Sequence, residues 1–167
     1  FSFDQTRTFV AVGTLQQRGL EASLSGKFGE RLAVVAGAVA TRPRVIDRLP
    51  GVGARPAGMP SLYARMDINY RTGIFGGLTP TATISHTGAR ALSAGPLASL
   101  GGEQLLVPGY TTLDLGLRQS FKLGQTPMSF RMLVWNVTDA KTWKVVAANT
   151  LLPEERRRFN LTVTADF

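Results

Sequence analysis

The sequence predicts an all-β fold: an antiparallel transmembrane β-barrel segment of about eight meander strands, with short periplasmic turns and long external loops. Three observations carry the prediction. Apolar and polar residues alternate with period two through one segment after another. The connections between those segments are alternately short and long. No stretch approaches the roughly 18 consecutive apolar residues that a membrane-spanning helix needs.

The segments follow in order. Phe1-Ser2-Phe3-Asp4 reads as the end of a strand already under way, joined to the next by a hairpin reaching Phe9. In residues 18–28, Leu20, Ala22, Leu24, Gly26 and Phe28 alternate with Gly19, Glu21, Ser23, Ser25 and Lys27. Residues 31–41 are apolar on both sides, and their small side chains suit a strand whose lumen face is packed against something. In residues 61–71, Leu62, Ala64, Met66, Ile68 and Tyr70 oppose Tyr63, Arg65, Asp67, Asn69 and Arg71. Residues 78–88, 111–123 and 128–137 repeat the pattern. The last strand, Arg158 to Phe167, ends on an aromatic in mid-pattern. Each segment has about the 9–11 residues that carry a tilted strand across a bilayer.

Local alternation alone fits a soluble sandwich as well, with the polar face wet rather than lumenal. The connections separate the two readings. Residues 28–30, 72–77 and 124–127 are short; residues 42–59, 89–109 and 139–156 are long. Every long loop therefore falls at one end, as in outer-membrane barrels. Counting back from the C-terminus puts Phe167 at the periplasmic side and the three long loops outside the cell. One partial and seven full strands make eight, so a self-contained small barrel with a structural or adhesive role is the alternative reading. Against it, Phe1–Asp4 is too short to pair along the whole of the last strand.

Composition excludes several functions. There is no cysteine, which removes Cys-based zinc sites and Cys nucleophiles, and His86 is the one histidine. Neither a catalytic constellation nor a metal-ligand cluster can be assembled, so the chain does not read as an enzyme. Net charge is +8, from fifteen arginines and four lysines against 11 acidic residues. The arginines are scattered, without a basic stripe interleaved with stacking aromatics, so nucleic acid is not the expected partner.

Short motifs then accumulate in a fixed order: Phe1-Ser2-Phe3-Asp4-Gln5-Thr6, Val12-Gly13, Arg18-Gly19-Leu20-Glu21, Arg55-Pro56 with Gly58-Met59-Pro60, the run from Val107-Pro108-Gly109-Tyr110 to Leu117-Arg118, Asn136-Val137-Thr138-Asp139, and the terminal Phe167. In this order they resemble the C-terminal barrel of TonB-dependent outer-membrane receptors, in particular the ferric-siderophore group, along essentially the whole chain. The resemblance implies that residues 1–167 form the C-terminal portion of a barrel of about 22 strands. The plug domain, the N-terminal barrel strands and the TonB-contacting region would lie outside this sequence. It further implies part of a TonB-energised receptor in the Gram-negative outer membrane, importing a ferric-siderophore complex or similar scarce nutrient. Its partners would be that ligand, the TonB complex, the plug, the outer-membrane assembly machinery, and outer-membrane lipid and lipopolysaccharide. No covalent cofactor is implied, and iron enters only within the ligand. One departure stands out: where the family usually has a basic residue and Tyr, Ala140-Lys141-Thr142-Trp143 follows Asp139, so Trp143 takes the aromatic's place.

Arginine forks suit anionic, oxygen-rich ligands. The candidate ligand contacts are therefore Arg42, Arg44, Arg48 and Arg55 in the first long loop, the lumen-facing Arg65, and Trp143. Solvation or lipopolysaccharide phosphates compete for the loop arginines, and pairing with Glu21, Asp67 or Asp114 competes for Arg65. Arg156-Arg157-Arg158 reads as an outer-leaflet anchor. Phe28, Tyr70 and Phe121 read as a periplasmic aromatic girdle. By the resemblance, Phe159 and Phe167 belong to the barrel-assembly signal.

Overall fold

The computed structural model describes residues 11–166. Eleven strands occur among them: β1 (Thr14–Phe28), β2 (Leu32–Ile46), β3 (Leu62–Tyr70), β4 (Thr79–Thr87), β5 (Arg90–Ala91), β6 (Leu106–Val107), β7 (Tyr110–Leu123), β8 (Thr126–Trp135), β9 (Trp143–Ala147), β10 (Thr150–Pro153) and β11 (Arg158–Ala165). Seven form one antiparallel meander in the order β1-β2-β3-β4-β7-β8-β11. The other four make two small ribbons, β5–β6 and β9–β10, within the long connections. The expected partial strand at Phe1–Asp4 and the terminal Phe167 lie outside the described residues.

Registers across the meander create two continuous faces. Directly opposed residues in an antiparallel ladder share a face. Leu24 opposes Ala36, Ala36 opposes Met66, Met66 opposes Ile84 and Ile84 opposes Leu113. Farther along, Leu115 opposes Val134 and Val134 opposes Phe159. This apolar face carries Phe28 and Tyr70 on either side of Leu32, and Phe121 lies on it at the same end of the sheet. The other face carries Glu21, Arg65, Asp67, Asp114, Arg118, Arg131, Asn160 and Thr162. A wall apolar on one side and charged in mid-strand on the other has its apolar side toward lipid and its polar side toward the lumen. Large side chains stay uncovered on the lipid side, Leu20 at 82% and Leu161 at 64% exposure.

The connections alternate as the sequence implies. Residues 29–31, 71–78 and 124–125 turn at one end, while loop 1 (47–61), loop 2 (88–109) and loop 3 (136–157) project from the other. Among the described residues β1 and β11 are the two edges of the sheet and do not pair with each other.

Two boundaries depart from expectation. β1 and β2 each run 15 residues, so Arg42 and Arg44 belong to β2 and not to the first long loop. Pro43 reads as a breaker because proline offers no N–H to a ladder. Its position removes the penalty. Thr41 and Val45 donate their N–H groups to Ser61 and Ala54, on the side where β3 has already ended. Pro43 shares their parity, so the missing N–H falls in the gap between those two bonds. The long loops also contain the β5–β6 and β9–β10 ribbons, which no alternation announces.

Adjacent residues on β11 test the assignment of faces. Leu161→Arg, outward near mid-strand, should destabilise the complete barrel by roughly 2–4 kcal/mol, whereas Thr162→Arg, on lumen parity, should be tolerated. Denaturant titration followed by heat-modifiable electrophoresis measures both; equal effects would mean the faces are wrongly assigned.

Candidate functional site

The core of the described residues lies in the external loops rather than between the strands. Ala91, Leu92 and Val107 are its buried apolar residues, and Arg90 and Ser93 are buried with them. All five belong to loop 2. The β5–β6 ribbon sets Arg90 opposite Val107 and Ala91 opposite Leu106. Ser93 Oγ donates to the Gly95 carbonyl at 2.7 Å and accepts the Leu105 N–H at 3.0 Å, which folds the ribbon's tip back on itself.

Loop 1 is tied to this hub by backbone and side chain. Gly53 N–H donates to the Ala94 carbonyl at 2.8 Å and Gly58 N–H to the Ala91 carbonyl at 2.9 Å. Gln104 acts as a clamp: its Oε1 accepts the Arg55 N–H at 2.9 Å, and its Nε2 donates to the carbonyls of Arg55 and Ser93, each at 2.9 Å. Both ends of the side-chain amide are thereby used. The loops approach so closely that a methyl on Gly95 would overlap the Gly51 carbonyl oxygen.

Loop 3 is tied to the same hub. Asn149 N–H donates to the Leu92 carbonyl at 2.9 Å. The Arg90 guanidinium donates to the Trp143 carbonyl and lies 5.3 Å from the centre of the Tyr110 ring, a cation–π distance. Tyr110 in turn donates to Glu154 at 3.0 Å.

The root of loop 3 is a polar node built on Asn136, which is 5% exposed and adopts φ 49. Its N–H donates to Asp114 Oδ1 at 2.8 Å, joining β8 to β7. Its Nδ2 donates to the carbonyls of Ala140 and Glu155, both at 3.1 Å, and its Oδ1 accepts the Ala140 N–H at 2.9 Å. Asp139 then receives a two-pronged contact from Arg156 at 3.1 and 3.0 Å. That contact, followed by the Arg157 N–H, holds the Asp139 carboxyl below the usual carboxylate range.

Four of the candidate residues from the sequence, Arg42, Arg44, Arg48 and Arg55, line one cavity of about 840 Å³ together with the buried Arg90, whereas Arg65 and Trp143 lie outside it. Arg48 and Arg55 are in loop 1. Arg42 and Arg44 share the outward parity of Leu20 and Ala40, so they do not face the lumen. Trp143 opens β9 and is half exposed. Arg65 is engaged by Asp67 through two hydrogen bonds of 2.8 Å, and Thr83 donates to the same carboxylate at 2.6 Å. Phe159 is outward, opposite Val134. The Arg156–Arg158 run is not a free anchor: Arg156 holds Asp139, and Arg158, on lumen parity, pairs with Glu155 at 2.6 Å and lies 4.6 Å from the Trp135 ring centre. Sequence reading misses Arg90, Gln104 and Asn136 as organisers. Only Asn136, within Asn-Val-Thr-Asp, carries a motif signal.

This geometry defines a class: an outer-membrane β-barrel wall whose external loops are knitted into one rim. The TonB dependent receptor-like β-barrel family matches residues 1–149, and the chain belongs to that family. It is a family of outer-membrane receptors of Gram-negative bacteria, not of enzymes. The crystal structure of BauA, the ferric preacinetobactin receptor of Acinetobacter baumannii, superposes with a TM-score of 0.80 at 27% identity, over 96% of this chain and 23% of that one. The closed form of the ferric-catecholate import receptor Fiu of E. coli K12 shares the fold, with a TM-score of 0.73 at 17% identity over 96% of this chain and 22% of its own. The ferrichrome receptor FcuA of Yersinia enterocolitica is 24% identical over 168 residues, 97% of this chain and 21% of that protein. The chain thus spans between a fifth and a quarter of these relatives.

Two outcomes test the node. Asn136→Ala leaves the Ala140 N–H and two carbonyls without their partner and should cost roughly 2–3 kcal/mol, read as earlier unfolding and faster proteolysis of residues 137–157. The Asp139 contribution has the sign of a depressed carboxyl: present above the unfolded-state value, lost as pH falls through the lower folded value. Loop 3 hydrogen exchange, corrected for its intrinsic pH dependence, should therefore stay flat from neutral pH and accelerate only in acid. Asp139→Asn should abolish that acid step while leaving any other pH dependence in place.

Proposed function

We propose that the complete protein is a TonB-energised receptor that imports a ferric siderophore, with this chain supplying part of its barrel wall and three loops of its external rim. The observation that carries the proposal is the loop architecture. Loops 1 and 3 are each bound to loop 2, so a ligand held by one loop is coupled to the other two. The rim is basic, with Arg48 and Arg55 in loop 1, and guanidinium groups suit the anionic, oxygen-rich surface of a ferric chelate. Trp143, half exposed on β9, adds an aromatic face to the same rim. The relatives named above are receptors for ferric siderophores, which supports the same ligand class. Iron is cargo within the ligand. The plug and the TonB-contacting region would be supplied by parts of the protein beyond this sequence. Arg65 serves the wall through Asp67 and is not among the ligand contacts we propose; neither are the outward Arg42 and Arg44.

The test is iron uptake by the complete receptor in a strain stripped of its other ferric-siderophore receptors. Uptake of radioactive iron presented as hydroxamate or catecholate chelates should require both the receptor and TonB. Arg55→Gln with Trp143→Ala should weaken chelate binding several-fold without loss of the folded barrel. Absence of binding to every ferric chelate offered, with import of another nutrient intact, would exclude the proposal.

A further inference from the structure

Arg18 and Arg42 stand directly opposite each other in the β1–β2 ladder, and Gln16 opposes Arg44 one step farther out on the same face. The ladder runs without a shift from Phe28 and Leu32 to Thr14 and Ile46, so the alternation that turns Leu20, Leu24 and Phe28 to the lipid turns Arg18 and Arg42 there too. Like charges in this position repel. Among the described residues no carboxylate makes an ion pair with either arginine. Glu21 has the opposite parity and faces the lumen.

Height fixes the surroundings. Ten residues separate Arg18 from the girdle residue Phe28. At about 3.4 Å per residue and a tilt of about 40°, that is a climb of about 25 Å, the height of a barrel's apolar band. The arginine pair therefore lies where hydrocarbon gives way to the outer-leaflet head groups. Below it the wall is hollowed. Ala22, Ala38 and Ala64 lie in one cross-strand row, four residues beneath the arginines. With Leu24, Met66, Ile84 and His86, whose Nδ1 is engaged by Thr111 Oγ1, they line a largely apolar depression of about 390 Å³.

We propose that Arg18 and Arg42 form a lipid-binding site on the outer wall, taking the phosphate of an anionic outer-leaflet lipid between them and its acyl chain in the alanine-lined depression below. A phosphate accepts from two guanidinium forks at once, so a bridging phosphate converts the repulsion of the pair into two charge-assisted contacts. Gln16 and Arg44 offer further donors above it. The acyl seat is what distinguishes this site from one for free phosphate. The inference rests on the outer-membrane barrel and is independent of which ligand the receptor imports.

Native mass spectrometry of the complete receptor, extracted from outer membranes in mild detergent, tests it. The probes are the outer-leaflet phosphorylated glycolipid, the same lipid enzymatically dephosphorylated, and inorganic phosphate. The phosphorylated lipid should be retained, and removing its phosphates should weaken retention about tenfold or more. Arg18→Gln with Arg42→Gln should have the same effect, with folding checked by heat-modifiable mobility. Ala38→Trp, which fills the depression, should also release the lipid although both arginines remain. Equal retention of the two lipids by the unmodified receptor would overturn the proposal whether or not any variant folds. Displacement of the lipid by millimolar inorganic phosphate would overturn it as well.

Discussion

Everything in this chain depends on one constraint: within hydrocarbon, each backbone N–H and C=O must find its partner in a neighbouring strand, because there is no water to replace it. The seven-strand meander meets that demand by unbroken antiparallel registers between consecutive strands. Once the registers are set, face is no longer a free choice for any residue. A one-residue slip would turn Leu161 and Val163 inward and send Asn160 and Thr162 into lipid. The charges in mid-wall then become tolerable because parity gives them the lumen, where Arg65, Asp67 and Thr83 satisfy one another.

Outside the bilayer the same rule is met by different means. The loops have no long ladder, so their buried polar groups are served individually. Gln104 uses its amide to hold two loops, and Asn136 uses its own to hold both ends of a third. Arg90 is buried because its charge has a carbonyl to donate to and an aromatic face to lie over. A rim made of loops keeps one shape only where its segments are fixed, and these three side chains fix them.

The wall is legible in the sequence because a strand with lipid on one side and a polar lumen on the other must alternate. That pattern alone places β3, β7, β8 and β11 to within a few residues. It ends β2 early, at Thr41, because Pro43 resembles a terminator, and only the end of β3 explains why that proline is harmless. The error moves Arg42 and Arg44 into a loop and hides their outward parity. The rim is not legible. Gln104 and Arg55 lie 49 residues apart, and Arg90 meets Trp143 across 53 residues. No periodicity records such pairings, and a loop rich in Ala, Gly, Ser and Leu looks the same whether it is packed or free.

Loop 3 is fastened at its root by Asn136 and near its tip by Asn149. A segment pinned at one end swings like a flap; one pinned at both behaves as a beam. Its tip cannot lift without giving up the Asn149–Leu92 bond, and its root cannot shift without loading Glu155 and the start of β11. A load on the tip of loop 3 is therefore passed to loop 2 through Leu92, and a load on its root is passed through Glu155 to the start of β11.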